Sequence, residues 1–234
     1  MTIKSSIIEH FSDTAYLYDS KNEPLSAIAD AMHFLIRMVL QRAPENARVL
    51  CVGVGTGAEV LSLALAFPKW RFVCVDPAKG MLEVCAQRLA QAELLERCEL
   101  IHGYIEDIAP AEDFDVVLGI LVAHFVKREE RRGFYQAMWQ HLRPQGFLVN
   151  TEISYDLDSD TFPLMLQNWE AVQRLMGASD ESIKRLPVAL REHLSILSPA
   201  ETELVLKQCG IEMPVRFFQA FMISGWFALK IEHV

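Results

Sequence analysis

The stretch that most constrains this chain runs from Arg48 to Gly80, RVLCVGVGTGAEVLSLALAFPKWRFVCVDPAKG. Its apolar run Val49–Val52 is closed by Gly53, Gly55 and Gly57, and apolar residues then recur at the helical period. The segment therefore reads as strand, glycine turn, helix and second strand. Glycines permit positive φ at such a turn and remove the Cβ atoms that would hold a ligand off the backbone, where free N–H groups gather at a helix N-terminus. The second strand, Arg71–Val75, ends in Asp76, nineteen residues after Gly57. A carboxylate at that distance can accept hydrogen bonds from both ribose hydroxyls of a nucleoside.

The glycine spacing selects among nucleosides. Dinucleotide folds use GxGxxG, whereas this turn is GxGxG followed by Ala58 and Glu59, and a carboxylate at the helix start repels a pyrophosphate. A cationic, phosphate-free ligand fits better. GVGTG followed by VDPAKGML resembles the class I S-adenosylmethionine (SAM) dependent methyltransferases, whose first motif is typically VLDxGxGTG; Cys51 stands where that family carries its acidic residue.

The resemblance implies SAM as cofactor, with S-adenosylhomocysteine as product, and an α/β Rossmann-like fold: a seven-stranded, mostly parallel sheet with helices on both faces and a helical insert. It implies cofactor contacts at Gly53, Val54, Gly55, Gly57, Asp76 and Pro77, with Met81 covering the adenine. GYIEDI is similar to the family's GDxxDI, with Tyr104 replacing the first acid. The match implies that Asp107 accepts from the adenine amino group while the backbone N–H of Ile108 addresses a ring nitrogen; a solvated loop acid is the other reading of Asp107. Gly119, at the end of a buried strand in DFDVVLGILVAHFV, is implied as the point where backbone approaches the methionine portion.

A chain of 234 residues that is 51% hydrophobic can bury its core as one domain. The net charge of −9 argues against a broad nucleic-acid surface. Five cysteines form no CxxC pair and read as small core residues of a reducing compartment, without a metal site. MTIKSSIIEHFSD lacks a sustained apolar run, and longer apolar stretches are broken by His, Arg or Lys short of the ~20 residues that span a bilayer, so no membrane association and a cytoplasmic location are expected.

The single domain divides into an N-terminal helical lid (1–42), a cofactor-binding core (48–154), a helical insert (155–195) and a closing helix with two strands (198–234). In the lid, residues 5–20 offer Tyr16 and Tyr18 as contacts, and Pro24–Gln41 is amphipathic. Pro77–Leu95 reads as a helix, Cys98–His102 as a strand, and Lys127–Leu142 as a surface helix before the turn Arg143–Gly146. The next strand brings Asn150 and Glu152 toward the substrate side, and His124, beyond Gly119, is the candidate general base. The insert carries helices near Phe162–Met176 and Glu181–His193, with Phe162, Trp169 and Arg174 as candidate substrate contacts. It roofs the site or forms a homodimer surface. Ser198-Pro199-Ala200-Glu201 is a capping box, and the closing strands turn near Ile223–Trp226.

The ending FFQAFMISGWFALK, with the capped helix before it and the insert, resembles the carboxy-SAM synthase branch of the superfamily. Those enzymes carry an arginine for the added carboxylate five residues before the glycine that closes this helix, where this chain has Val205. A methyltransferase using ordinary SAM on a small molecule is the expectation; a carboxy-SAM synthase-like or tRNA-modifying enzyme, or a non-catalytic SAM-binding subunit, are the alternatives.

Overall fold

The computed structural model describes residues 5–109 and 113–231; residues 1–4 of the expected lid and 232–234 of the closing segment lie outside the described residues. Strands β1 (Arg48–Val52), β2 (Arg71–Asp76), β3 (Cys98–His102), β4 (Phe114–Ile120), β5 (Leu142–Ile153), β6 (Val215–Ala220) and β7 (Ile223–Leu229) form one seven-stranded sheet. Its order is β3-β2-β1-β4-β5-β7-β6. β1 to β5 run parallel, and β7 is antiparallel to both β5 and β6.

The helices are α1 (Ser5–Asn22), α2 (Ser26–Val39), α3 (Ala58–Ala66), α4 (Lys79–Gln91), α5 (Arg131–His141), α6 (Phe162–Leu175), α7 (Asp180–Glu192) and α8 (Pro199–Gln208). Strand alternation divides the core between two faces. Val49, Cys51, Phe72, Cys74, Val116 and Val149 pack with α2, α3 and α4, joined by Trp169 and Leu190 of the insert. Leu50, Val52, Val73, Val75, Val117 and Leu148 pack with α5 and α8.

Three expectations shift. The closing hairpin turns at Phe221–Met222, with Phe221 at φ +51, before β7 begins at Ile223. Gly225 lies inside β7, paired with Thr151 and Phe218, and a side chain there would crowd the Phe217 ring, an added Cβ falling 3.0 Å from Phe217 Cε1. Arg143–Gly146 belongs to an irregular start of β5, where Gln145, at φ +63, donates to the Lys230 carbonyl over 2.7 Å. The acids of DLDSD do not cap α6; Asp156 instead accepts from the Asp158 N–H in its own turn, whereas Ser179 caps α7. The capping box forms as expected, with Glu201 Oε2 accepting from the Ser198 N–H at 2.8 Å.

Candidate cofactor and acceptor site

A cavity of about 870 Å³ opens at the C-terminal ends of β1, β2 and β4. Its floor is the glycine turn. Gly53 and Gly57 hold φ +67 and +79, and a Cβ on them would come within 2.4 Å of Val122 Cγ2 and 2.7 Å of Cys85 Sγ. Gly55, at φ +54, differs: no protein atom lies within 4 Å of its Cβ position, so bare backbone borders open cavity there.

Asp76 closes one side of the turn and is only 7% exposed. Its Oδ2 accepts from the Gly55 N–H at 2.9 Å and its Oδ1 from the Ala78 N–H at 2.8 Å. Burial raises its carboxyl above the usual range, an effect that those two backbone donors and His102 offset only in part. Each oxygen retains a lone pair for a further donor. Pro77 and Met81 line the cavity beside it, Met81 packed with Ala15 and Ala78.

Helix α1 is tied to this turn. The Thr56 hydroxyl donates to Asp19 at 2.7 Å, Arg88 donates to the Thr56 carbonyl and hydroxyl at 3.0 Å, and Arg88 pairs with Asp19 at 3.0 Å. The Gly80 N–H donates to Ser12 Oγ at 2.8 Å, an approach so close that a Cβ on Gly80 would sit 2.1 Å from the Ser12 carbonyl oxygen. Phe11 meets Phe125 edge-on, 5.2 Å between ring centres. Tyr18 lines the cavity with its phenol pushed up to about 12 by burial and the carboxylates of Glu59, Asp19 and Asp76.

The roof comes from α2 and α6. Met32 and His33 of α2 line the cavity, as do Trp169, Gln173 and Met176, spaced i, i+4, i+7 along and just beyond α6. Burial lowers His33 below its usual range. Ser26, His33 and Arg37 also line the cavity, and the sequence does not single them out, because polar residues bordering the apolar stripe of α2 fit an ordinary surface helix equally well.

Several expected site residues lie elsewhere. Tyr16 is 75% exposed, one residue out of phase with the face that carries Tyr18 inward. Asp107 and Ile108 are not at the cavity wall; Asp107 Oδ2 accepts from the Tyr104 N–H at 2.8 Å, closing its own turn, and Gly103, Tyr104 and Ile105 take that wall. Gly119 faces away, its Cβ position 3.0 Å from Met138 Cε, and Ile120, Leu121 and Val122 line the cavity in its place.

Asn150 and Glu152 share the face of β5 opposite Ile153, in a buried polar network beneath α5 and α8. Asn150 donates to the Tyr135 hydroxyl at 3.2 Å, that hydroxyl donates to Glu152 at 3.1 Å, Thr202 donates to Glu152 at 2.8 Å, and Arg131 pairs with Glu152. Strand parity, invisible until the register is known, sends them there. Phe162 is buried core under the Arg191 guanidinium, and Arg174 is a surface partner of Asp180 at 2.5 Å. Val205 packs against the α5–α8 core, outside the cavity.

His124 lines the cavity but is not built as a base. It is 3% exposed, its Nδ1 accepts from the Ile153 N–H at 3.2 Å, and burial with the Arg131 charge pushes it down to about 3. With Nδ1 accepting, the neutral ring carries its proton on Nε2 and offers a donor.

The wall fits SAM by its chemistry. Asp76 can meet vicinal hydroxyls, Gly55 admits a close neighbour, and the carboxylates of Asp76 and Asp19 around the turn suit a cation and oppose a phosphate.

Residues 49–146 match the family described as methyltransferase domain. The carboxy-S-adenosyl-L-methionine synthase of Erwinia tasmaniensis is 27% identical over 203 residues, covering 85% of this chain and 82% of that protein. Among solved structures, an O-methyltransferase family protein from Burkholderia thailandensis superposes with a TM-score of 0.70 at 14% identity, over 95% of this chain and 62% of that one, so this chain spans about three fifths of its length. Geranyl diphosphate C-methyltransferase from Streptomyces coelicolor, solved with Mg2+, geranyl diphosphate and S-adenosyl-L-homocysteine, gives a TM-score of 0.64 at 8% identity over 91% of this chain and 84% of that one. Residues 49–146 thus match a methyltransferase domain, the chain is similar over most of its length to carboxy-S-adenosyl-L-methionine synthases, and its sheet order is shared with the Rossmann-like fold of solved methyltransferases.

Proposed function

We propose that the protein methylates a small-molecule acceptor held between α2 and α6. The observation that carries this reading is the continuity of the cavity from Gly55 and Asp76 to Trp169, Gln173 and Met176. At about 870 Å³ it lies toward the upper end of the roughly 300–1,000 Å³ usual for small-molecule sites, which leaves room for an acceptor beside the cofactor. Bound SAM supplies an electrophilic methyl on a sulfonium. Asp76 and the Gly53–Gly55 backbone orient the adenosyl end, α1 and α6 exclude water, and Gln173 and His33 provide polar contacts in an otherwise apolar pocket. Displacement at a methyl asks chiefly for alignment, so a wall without a strong base suits this chemistry. The acidic chain favours a small acceptor over a nucleic acid.

A second reading, carboxy-SAM synthase-like activity, is favoured by the relative that matches most of both chains. Lys21 and Arg37 line the cavity as cations for an added carboxylate, although Arg37 already donates to Ser62 at 2.7 Å. Mass spectrometry of the adenosyl compound in purified protein, followed by incubation with SAM and an acceptor panel, separates the two. Acceptor-dependent S-adenosylhomocysteine supports methyl transfer, a carboxylated adenosyl product supports the second reading, and binding with no turnover of any kind returns the protein to a cofactor-binding subunit.

A further inference from the structure

The family's first strand ends in an acid, and here that position is Cys51, fully buried. A carboxylate nevertheless reaches this corner from the first turn of α3. Glu59 lines the cavity and is 7% exposed. Its charge bears on Cys51 of β1, on Cys85 of α4 and on Tyr18 of α1, and it is in turn acted on by Asp76 of β2 and Arg88 of α4. Among the described residues its carboxylate accepts only from its own backbone N–H. Arg88 does not pair with it, being engaged by Thr56 and Asp19.

We propose that Glu59, at the start of α3 and beside Cys51, binds the α-ammonium of the methionine portion of SAM. A buried carboxylate beside Asp76 and without a paired cation is costly, and a ligand ammonium supplies what the protein withholds. The N-terminal end of α3 favours the ionised form once that cation is present. In the free protein, burial and Asp76 push Glu59 up to about 8, against its own backbone N–H and Arg88. At pH 7 it is then largely protonated, and binding an ammonium must expel that proton. The assignment rests on SAM occupying the cavity.

Calorimetry with SAM, S-adenosylhomocysteine and 5′-methylthioadenosine, which lacks the amino-acid portion, tests this on the wild type and Glu59→Gln. The uncharged isostere should fold normally, since the wild-type side chain is itself largely neutral when free. Losing a charge-assisted contact should weaken SAM and S-adenosylhomocysteine alike by about tenfold or more and leave 5′-methylthioadenosine within about twofold. Buffers of different ionisation enthalpy should report proton release at pH 7 for the wild type with SAM, and none for Glu59→Gln. The double variant Glu59→Ala/Cys51→Asp should recover most of the affinity that Glu59→Ala loses, which a merely structural role for Glu59 would not allow. Equal weakening of 5′-methylthioadenosine, loss confined to SAM, or unchanged SAM affinity in Glu59→Gln would each overturn the assignment. A wild type that binds neither SAM nor S-adenosylhomocysteine would overturn the cofactor reading together with it.

Discussion

The backbone N–H of Ile153 donates to Nδ1 of His124 across 3.2 Å, so the end of β5 sets the tautomer of the histidine that follows β4 most closely. The ring's pKa falls from 6.5 to about 3, while the unfolded chain keeps the ordinary value. Below about pH 6.5 the unfolded state therefore takes up a proton that the folded state refuses. Stability from this group is complete above that pH and declines as the pH falls toward 3, by about 2 kcal/mol at pH 5. Urea titrations at pH 5 and 7 should show this loss in the wild type and a smaller one in His124→Asn. Identical pH dependence in both would mean that His124 titrates freely.

Asp76→Ala should weaken SAM binding by about 1.5–3 kcal/mol, because the substitution removes a charged acceptor for the ribose hydroxyls. It also frees the Gly55 and Ala78 N–H groups, so the melting temperature should fall as well. Calorimetry on the folded variant checks the first effect, and affinity equal to wild type would take Asp76 out of the site.

Two neighbouring pairs separate wall from surface. Tyr18→Ala should reduce SAM affinity while Tyr16→Ala, at a side chain 75% exposed, should leave it unchanged. Trp169→Ala should raise KM for any acceptor that yields S-adenosylhomocysteine, whereas Arg174→Ala removes only an exposed ion pair worth about 0–1 kcal/mol. Comparable kinetic effects of Trp169→Ala and Arg174→Ala would contradict the roof made by α6.

Gly80→Ala places a methyl 2.1 Å from the Ser12 carbonyl, contact that the backbone of α1 can relieve only by moving away. Hydrogen exchange over residues 5–22 should quicken in this variant while β1, β2 and β4 keep their protection. Unaltered exchange in α1 would show that the helix is held by its other contacts, Thr56–Asp19 and Phe11–Phe125.

Local chemistry was enough to place the glycine turn, Asp76 and the Ser198–Glu201 cap, because each depends on residues close together in the chain: positive φ, a strand-end carboxylate, a reciprocal cap. The centre of the parallel sheet was legible for a similar reason, β4 reading as a near-continuous apolar run covered on both faces. What the sequence could not carry was orientation across the sheet and around the helices. Asn150 and Ile153 lie three residues apart on β5, yet only Ile153 lines the cavity, and Gly119 turns toward Met138 while Ile120 turns inward. A strand reverses its side chains at every step, so a shift of one residue exchanges ligand wall for core. Tertiary packing also decided that Asp107 closes its own turn, that Tyr18 rather than Tyr16 faces inward, and that Glu59 stands buried without a cation, since each outcome depends on which element folds over which.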